Sequence, residues 1–249
     1  SPVVASRAGI GGFHDAVPRG GRRSDPPVPR TRHVAVVIPA CDEEATIEAC
    51  LRSVNAARRR LPASVTSSVV VAADSCTDAT EFRARAALRD DQTGRLLPVE
   101  VRSAGAARRA ATRKALVGQK VPLRSVWVAT TDADSVVAAD WLTVQVRLAH
   151  EGVVAVAGVV DLDGSEDAIL RHSFERAYTS SPDGTHPHVH GANMGFRADA
   201  YEAVGGWSCM VTGEDHDLWN RLCRHGPVCA TTDLRVRTSP RLVGRAPAG

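Results

Sequence analysis

A chain of 249 residues that is 43% hydrophobic can bury one sizeable core, and a charged fraction of 24% is ordinary for a globular domain, which argues against a disordered or fibrous protein. Its six cysteines contain no C-x-x-C pair, so a disulfide-stapled mini-protein is excluded and reduced thiols in a cytoplasm are the default. No apolar run approaches the ~20 residues needed to cross a bilayer, the longest being residues 153–160, and no secretory apolar region is visible.

The net charge of +3 is unevenly spread. Residues 1–32 hold six arginines and two acids, which leaves 25 basic and 26 acidic residues for the rest. The basic balance therefore belongs to a Pro-, Gly- and Arg-rich tail, expected to be disordered and solvated, with contact to acidic lipid headgroups as the sharper alternative. No nucleic-acid-binding face follows from it. Gly9-Ile10-Gly11-Gly12 lacks the flanking strand and helix that would make it a nucleotide-binding turn. The chain starts at Ser1 and stops at Ala246-Pro247-Ala248-Gly249, and both ends are expected to be trimmed.

Residues 33–249 read as one domain, with a nucleotide-sugar half over 33–135 and an acceptor half over 136–249. Residues 34–38 are a continuous apolar run, as in a strand buried on both faces, and Pro39 is expected to stop it. Asp42, Glu43 and Glu44 then lead a helix carrying Ile47, Leu51 and Val54 on one face. Residues 69–71 predict a second strand, with Thr77 and Asp78 capping the helix after it. Residues 99–101 predict a third strand, 105–116 an Ala/Arg-rich helix, and 125–130 a fourth strand ending at Thr131-Asp132-Ala133-Asp134. Strand alternating with helix implies an α/β fold with a mostly parallel sheet, which binds ligands at the carboxyl ends of its strands. Asp42, Asp74 and the Asp132/Asp134 pair all fall at such ends.

The second half is less regular. Residues 153–160 and 189–196 predict strands, and 168–178, 199–204 and 215–224 predict helices, the last with Leu218, Trp219 and Leu222 inward. His186, His188 and His190 alternate, so an extended segment would present them on one side, as an acceptor-facing polar strip or plain surface, with zinc ligation the lesser alternative.

Three clusters carry chemistry. Asp132 and Asp134, two residues apart after a buried strand, can hold a hard divalent cation that keeps positions open for phosphate oxygens. Gly213-Glu214-Asp215 opens a helix, and a carboxylate there can take the proton of an acceptor hydroxyl. In His190-Gly191-Ala192-Asn193, an asparagine inside a strand is unfavourable unless its amide is used, and Gly191 permits close approach of a ligand.

Together these segments resemble the motifs of family 2 glycosyltransferases. The resemblance rests on residues 36–44, 73–80, 105–108, 131–135, 190–195 with Gly205-Gly206-Trp207, and 213–215, in order across roughly residues 34–245. It implies a Rossmann-like GT-A fold, a nucleotide diphosphate sugar donor and Mg2+ or Mn2+. By position, Pro39, Ala40, Glu44 and Asp74 would line the nucleoside pocket. Arg108 would lie near the diphosphate, and Asp132 with Ala133 near ribose or metal. Asp134 would ligate the metal. Asp215, beside Glu214, would be the base of an inverting transfer to a small-molecule or lipid-linked acceptor. Gly191, Ala192, Asn193 and Trp207 would face acceptor or donor sugar. Arg237 and Arg241 are expected in a basic flap over the diphosphate. Alternatives are a retaining GT-A transferase and a non-catalytic nucleotide-sugar binding protein. A sugar nucleotidyltransferase would need a Gly-rich, Arg-containing turn where this chain has Pro39-Ala40-Cys41. The expected location is cytoplasmic, with peripheral membrane contact open and the oligomeric state undetermined.

Overall fold

The computed structural model describes residues 28–162, 188–208, 210 and 212–239. At the centre lies β1 (His33–Ala40), buried along its whole length. It pairs in parallel with β2 (Thr66–Asp74) on one side and β4 (Val126–Thr130) on the other. Successive side chains of a strand point to opposite faces, so a strand covered on both sides needs an unbroken apolar run. Val34, Val36 and Ile38 enter one core with α1 (Ile47–Arg58) and α4 (Trp141–His150), and Ala35 and Val37 enter the other with α3 (Ala104–Leu116). The alanines of α3 at 107, 111 and 115 keep that helix close to the sheet.

Further elements complete an eight-stranded sheet among the described residues, in the order β3-β2-β1-β4-β7-β6-β8-β5. They are α2 (Thr80–Ala87), β3 (Gly94–Val99), β5 (Ser135–Val137), β6 (Ala155–Leu162), β7 (Met194–Arg197), α5 (Ala198–Ala203), α6 (Glu214–His225) and β8 (Val228–Thr238). The first half is wholly parallel, while β7 runs antiparallel to both β4 and β6, and β8 lies parallel to β6 but antiparallel to β5. The result is a mixed, mostly parallel α/β sheet flanked by helices.

Several expectations shift. Pro39 does not end β1, which continues to Ala40 with Pro39 opposite Ala72. The third strand is residues 94–99 rather than 99–101, because the N–H groups of Val101 and Arg102 are held by Asp74 instead of a neighbouring strand. Asp42, Glu43 and Glu44 precede α1 but turn their polar groups to residues 77–80. The strand expected over 189–196 is reduced to Met194–Arg197, preceded by a 3-10 turn at Gly191–Asn193. Helix α4 and strands β5 and β8 are additional to the predicted elements. Residues 28–32 are not a loose tail: Thr31 N–H donates to His150 Nε2 at 3.0 Å and Arg32 N–H to the Ser125 carbonyl at 2.8 Å. The rest of the tail, the helix expected over 168–178 and His186 lie outside the described residues. No helix among the described residues is long and apolar enough to cross a membrane.

The outer edge is pinned by one side chain. From the end of α1, Arg58 donates to Asn55 Oδ1 at 2.8 Å, Ser67 Oγ at 3.0 Å and Asp91, and so joins α1 to β2 and to the turn before β3. Burial acts to raise the Asp91 carboxyl, but hydrogen bonds from Arg58 and Thr93 outweigh it and hold it at about 2. A carboxyl that titrates below its unfolded value contributes stability that is complete above about pH 4 and is lost as pH falls toward 2. Arg58→Met is expected to lower the free energy of unfolding by about 1.5–3 kcal/mol at neutral pH. The deficit of Asp91→Asn should be full at pH 7 and shrink by pH 3, as urea titrations at the two pH values will read.

Candidate active site

The carboxyl ends of β2, β1 and β4 lie side by side, and the acids predicted there do gather on one edge of the sheet. Two of them have structural work. Asp74 is buried, and its Oδ1 accepts the N–H groups of Val101 and Arg102 at 2.8 and 2.9 Å while Oδ2 accepts that of Ser103 at 2.9 Å. It thus shapes the turn that launches α3. Asp42 Oδ1 accepts the N–H groups of Thr77 and Asp78 at 2.6 and 3.2 Å, and Glu44 Oε2 that of Ala79 at 3.1 Å. These acids of the first turn therefore satisfy the donors leading into α2.

Deeper in the site, Arg108 of α3 has a side chain only 6% exposed. Its Nη1 donates to Glu214 Oε1 at 2.7 Å and its Nη2 to Asp132 Oδ1 at 2.5 Å. The guanidinium also lies over the Trp207 ring, 5.9 Å from its centroid. Burial opposes its charge, but the facing carboxylates of Asp132 and Glu214 outweigh that and keep it protonated. Two glycines make the approach possible. A Cβ on Gly191 would stand 2.5 Å from Arg108 Cζ, and one on Gly105 would stand 2.6 Å from Glu214 Cγ.

One residue beyond Glu214, Asp215 is half-buried, and its Oδ2 accepts the Gly191 N–H at 3.0 Å. The neighbouring His190 is kept below its ordinary pKa chiefly by burial, with His188 and His216 adding to it against Asp215 and Asp132. Its ring stacks parallel to that of His188 with centroids 6.5 Å apart. On the other side, Asp134 Oδ1 accepts from Thr238 Oγ1 at 3.1 Å and Ser135 Oγ at 3.2 Å, and its carbonyl accepts the Ser239 N–H. The end of β8 thus holds Asp134 in place.

Asp132 and Asp134 are both half-buried in the β4–β5 turn and offer oxygen donors of the hard kind that Mg2+ and Mn2+ take. No cluster of three or more metal-ligating side chains exists among the described residues.

The site therefore unites Arg108, Asp132, Glu214, Asp215 and Gly191. The terminal nitrogens of Arg108 donate to two protein carboxylates. Glu214 is locked against it, leaving Asp215 as the accessible acid. Asn193 and Trp207 lie in the interior. Asn193 is fully buried, with Oδ1 accepting from Trp141 Nε1 at 2.9 Å and Nδ2 donating to the carbonyls of Val159 and Leu234. Trp207 is 1% exposed, with Nε1 donating to Thr112 Oγ1 and its ring edge-on to Phe196. Ala133 packs into the core. Pro39 and Ala40 are buried at the end of β1, and Ala192 is buried beside Gly191. Arg237 is exposed on β8, paired in register with Val136 and Asp161. Arg241 lies outside the described residues. Thr238 was missed by sequence reasoning, since a lone threonine 104 residues from Asp134 carries no local signal.

The profile of the family described as glycosyltransferase like family 2 matches residues 29–241. No curated protein matches the chain in sequence. Among solved structures, the chain is similar to the mannosyltransferase PcManGT from Pyrobaculum calidifontis, solved in complex with GDP-Man and Mn2+, with 22% identity and a TM-score of 0.64 over 91% of this chain and 62% of that one. GalNAc-T7, solved with UDP, GalNAc and Mn2+, matches with 15% identity and a TM-score of 0.64 over 86% of this chain and 45% of that one. S. aureus TarS matches with 14% identity and a TM-score of 0.60 over 83% and 36%. The chain thus spans less than two thirds of each of these, and the likeness is one of fold, that of GT-A glycosyltransferases.

Removing one partner from a buried ion pair strands the other charge, which costs about 3–5 kcal/mol. Arg108→Met is expected to lose that much stability in chemical denaturation. Adding Glu214→Gln should recover more than about 1 kcal/mol of it, because residues in one network are not additive. Strictly additive losses would show that the two side chains are not coupled.

Proposed function

This chain belongs to glycosyltransferase family 2, and we propose that it moves a sugar from a nucleotide diphosphate sugar to an acceptor hydroxyl with inversion, Asp215 acting as the general base. The observation that carries the reading is the placement of Asp215. Its carboxylate is half-buried, fixed by the Gly191 N–H at the head of α6, and tied through Glu214 and Arg108 to the turn that bears Asp132 and Asp134. Base and donor-side acids thereby keep a constant relation, which orientation-dependent catalysis requires.

In the reaction, Asp215 takes the proton of the acceptor hydroxyl as its oxygen bonds to the anomeric carbon and the nucleoside diphosphate departs from the opposite face. Asp134, oriented by Thr238 and Ser135, and Asp132, through its Oδ2, would hold Mg2+ or Mn2+. When bound, such an ion supplies positive charge to the leaving diphosphate. Arg108 keeps Asp132 turned toward the site through its Oδ1. The nucleoside is assigned to the ends of β1 and β2, near Pro39 and Ala40. The GDP-Man and Mn2+ bound to PcManGT and the UDP and Mn2+ bound to GalNAc-T7 support the donor class. The acceptor is a small-molecule or lipid-linked hydroxyl.

Asp215→Asn is expected to lower kcat by about 10²–10⁴ while leaving the thermal shift given by nucleoside diphosphate and Mn2+ unchanged. Asp134→Ala should abolish the Mn2+-dependent part of that shift. NMR of the product anomer decides the stereochemistry, and retention of the donor configuration would remove Asp215 from its role.

A further inference from the structure

Cys41 and Cys76 sit at the ends of β1 and β2, which run in register up to Ala40 opposite Ala73. Each stands next to a residue in the left-handed region, Asp42 and Ser75, both at φ 52°. The two turns are clasped together: Asp42 Oδ1 holds the N–H groups of Thr77 and Asp78, and the Cys76 thiol donates to the Ala40 carbonyl at 3.5 Å. Standard peptide dimensions place the Cα that follows a carbonyl oxygen less than about 3 Å from it, so the Cys76 sulfur lies within about 6.5 Å of the Cys41 Cα. The two thiols therefore stand on adjoining turns, and a disulfide between them needs their Cα atoms within about 6.8 Å of each other. Both side chains are half-buried and carry thiols. Cys50 and Cys229 are buried in the core, and Cys223 is exposed on α6, on a different element.

We propose that Cys41 and Cys76 form a modification site, a dithiol that a small-molecule disulfide converts to an internal disulfide joining the first two strand ends. The Cys76 thiolate attacks one sulfur of oxidised glutathione and releases one glutathione thiolate. Cys41, deprotonated in turn, displaces the second glutathione from the mixed disulfide. Two protein thiols lose two electrons and two protons, and the oxidant leaves as two thiols. This chemistry is independent of the transferase reading. Burial holds the Cys76 thiol above its ordinary pKa, with Cys41, Asp42 and Asp78 adding to that against a backbone hydrogen bond at Asp42. The thiol is therefore protonated at neutral pH, and the reaction should quicken as pH rises.

The test is peptide mapping of the whole chain after treatment with oxidised glutathione, with the remaining thiols alkylated before digestion. Trypsin yields one peptide over residues 33–52 containing Cys41 and another over 61–83 containing Cys76. The expected product joins the two, lacks two hydrogens, holds more than half of Cys76, and forms up to about tenfold faster at pH 8 than at pH 7. It should vanish in both Cys41→Ser and Cys76→Ser. Separate glutathione adducts on the two peptides, a Cys41–Cys50 link, or survival of the joined peptide in Cys41→Ser would overturn the proposal.

Discussion

The site depends on one buried cation. Arg108 stands between Asp132, at the tip of β4, and Glu214, at the head of α6, and bonds both. An ion triad with little water around it is an expensive arrangement, since each charge must be desolvated before it is paired. The expense makes geometry strict: any displacement of one member leaves another unpaired. The neighbouring small residues follow from this. Gly105 and Gly191 are glycines because Glu214 and the guanidinium occupy the volume a side chain would need. The same contact sets Asp215 near the Arg108 guanidinium, because it is the next residue along α6.

The second half of the sheet serves the other carboxylate. The pairing of β6 with β8 slips between Gly158 and Val159, and the Asn193 amide bonds the Val159 and Leu234 carbonyls beside that slip. Beyond the slip, β8 runs on to pair with β5 and brings Thr238 to Asp134. An asparagine that the sequence suggests as a sugar contact is thus part of the support for a residue on the far side of the strand. Acids at the strand tips divide in the same way. Asp42 and Asp74 satisfy backbone donors in the turns, while Asp132 meets Arg108 and Asp134 meets Thr238 and Ser135.

Much of this was written in local pattern. The unbroken apolar run of β1, the Ala-rich face of α3, the D-x-D turn after β4 and the acidic start of α6 are all features of neighbouring residues, and their periods and caps report the fold class and the edge on which the site lies. The family match covers residues 29–241, the span in which those features lie. What sequence could not supply was partnership. Both Asp74 and Asp132 follow strands, yet the first is consumed by three backbone N–H groups and the second stays partly open. Arg108 and Glu214 are 106 residues apart, and Thr238 and Asp134 are 104 apart. Hydrogen-bond partners at such separations are chosen by how the strands and helices stack, and a carboxylate's role is set by which donors arrive beside it. Residue type and spacing named the candidates, and three-dimensional packing decided which donors each of them meets.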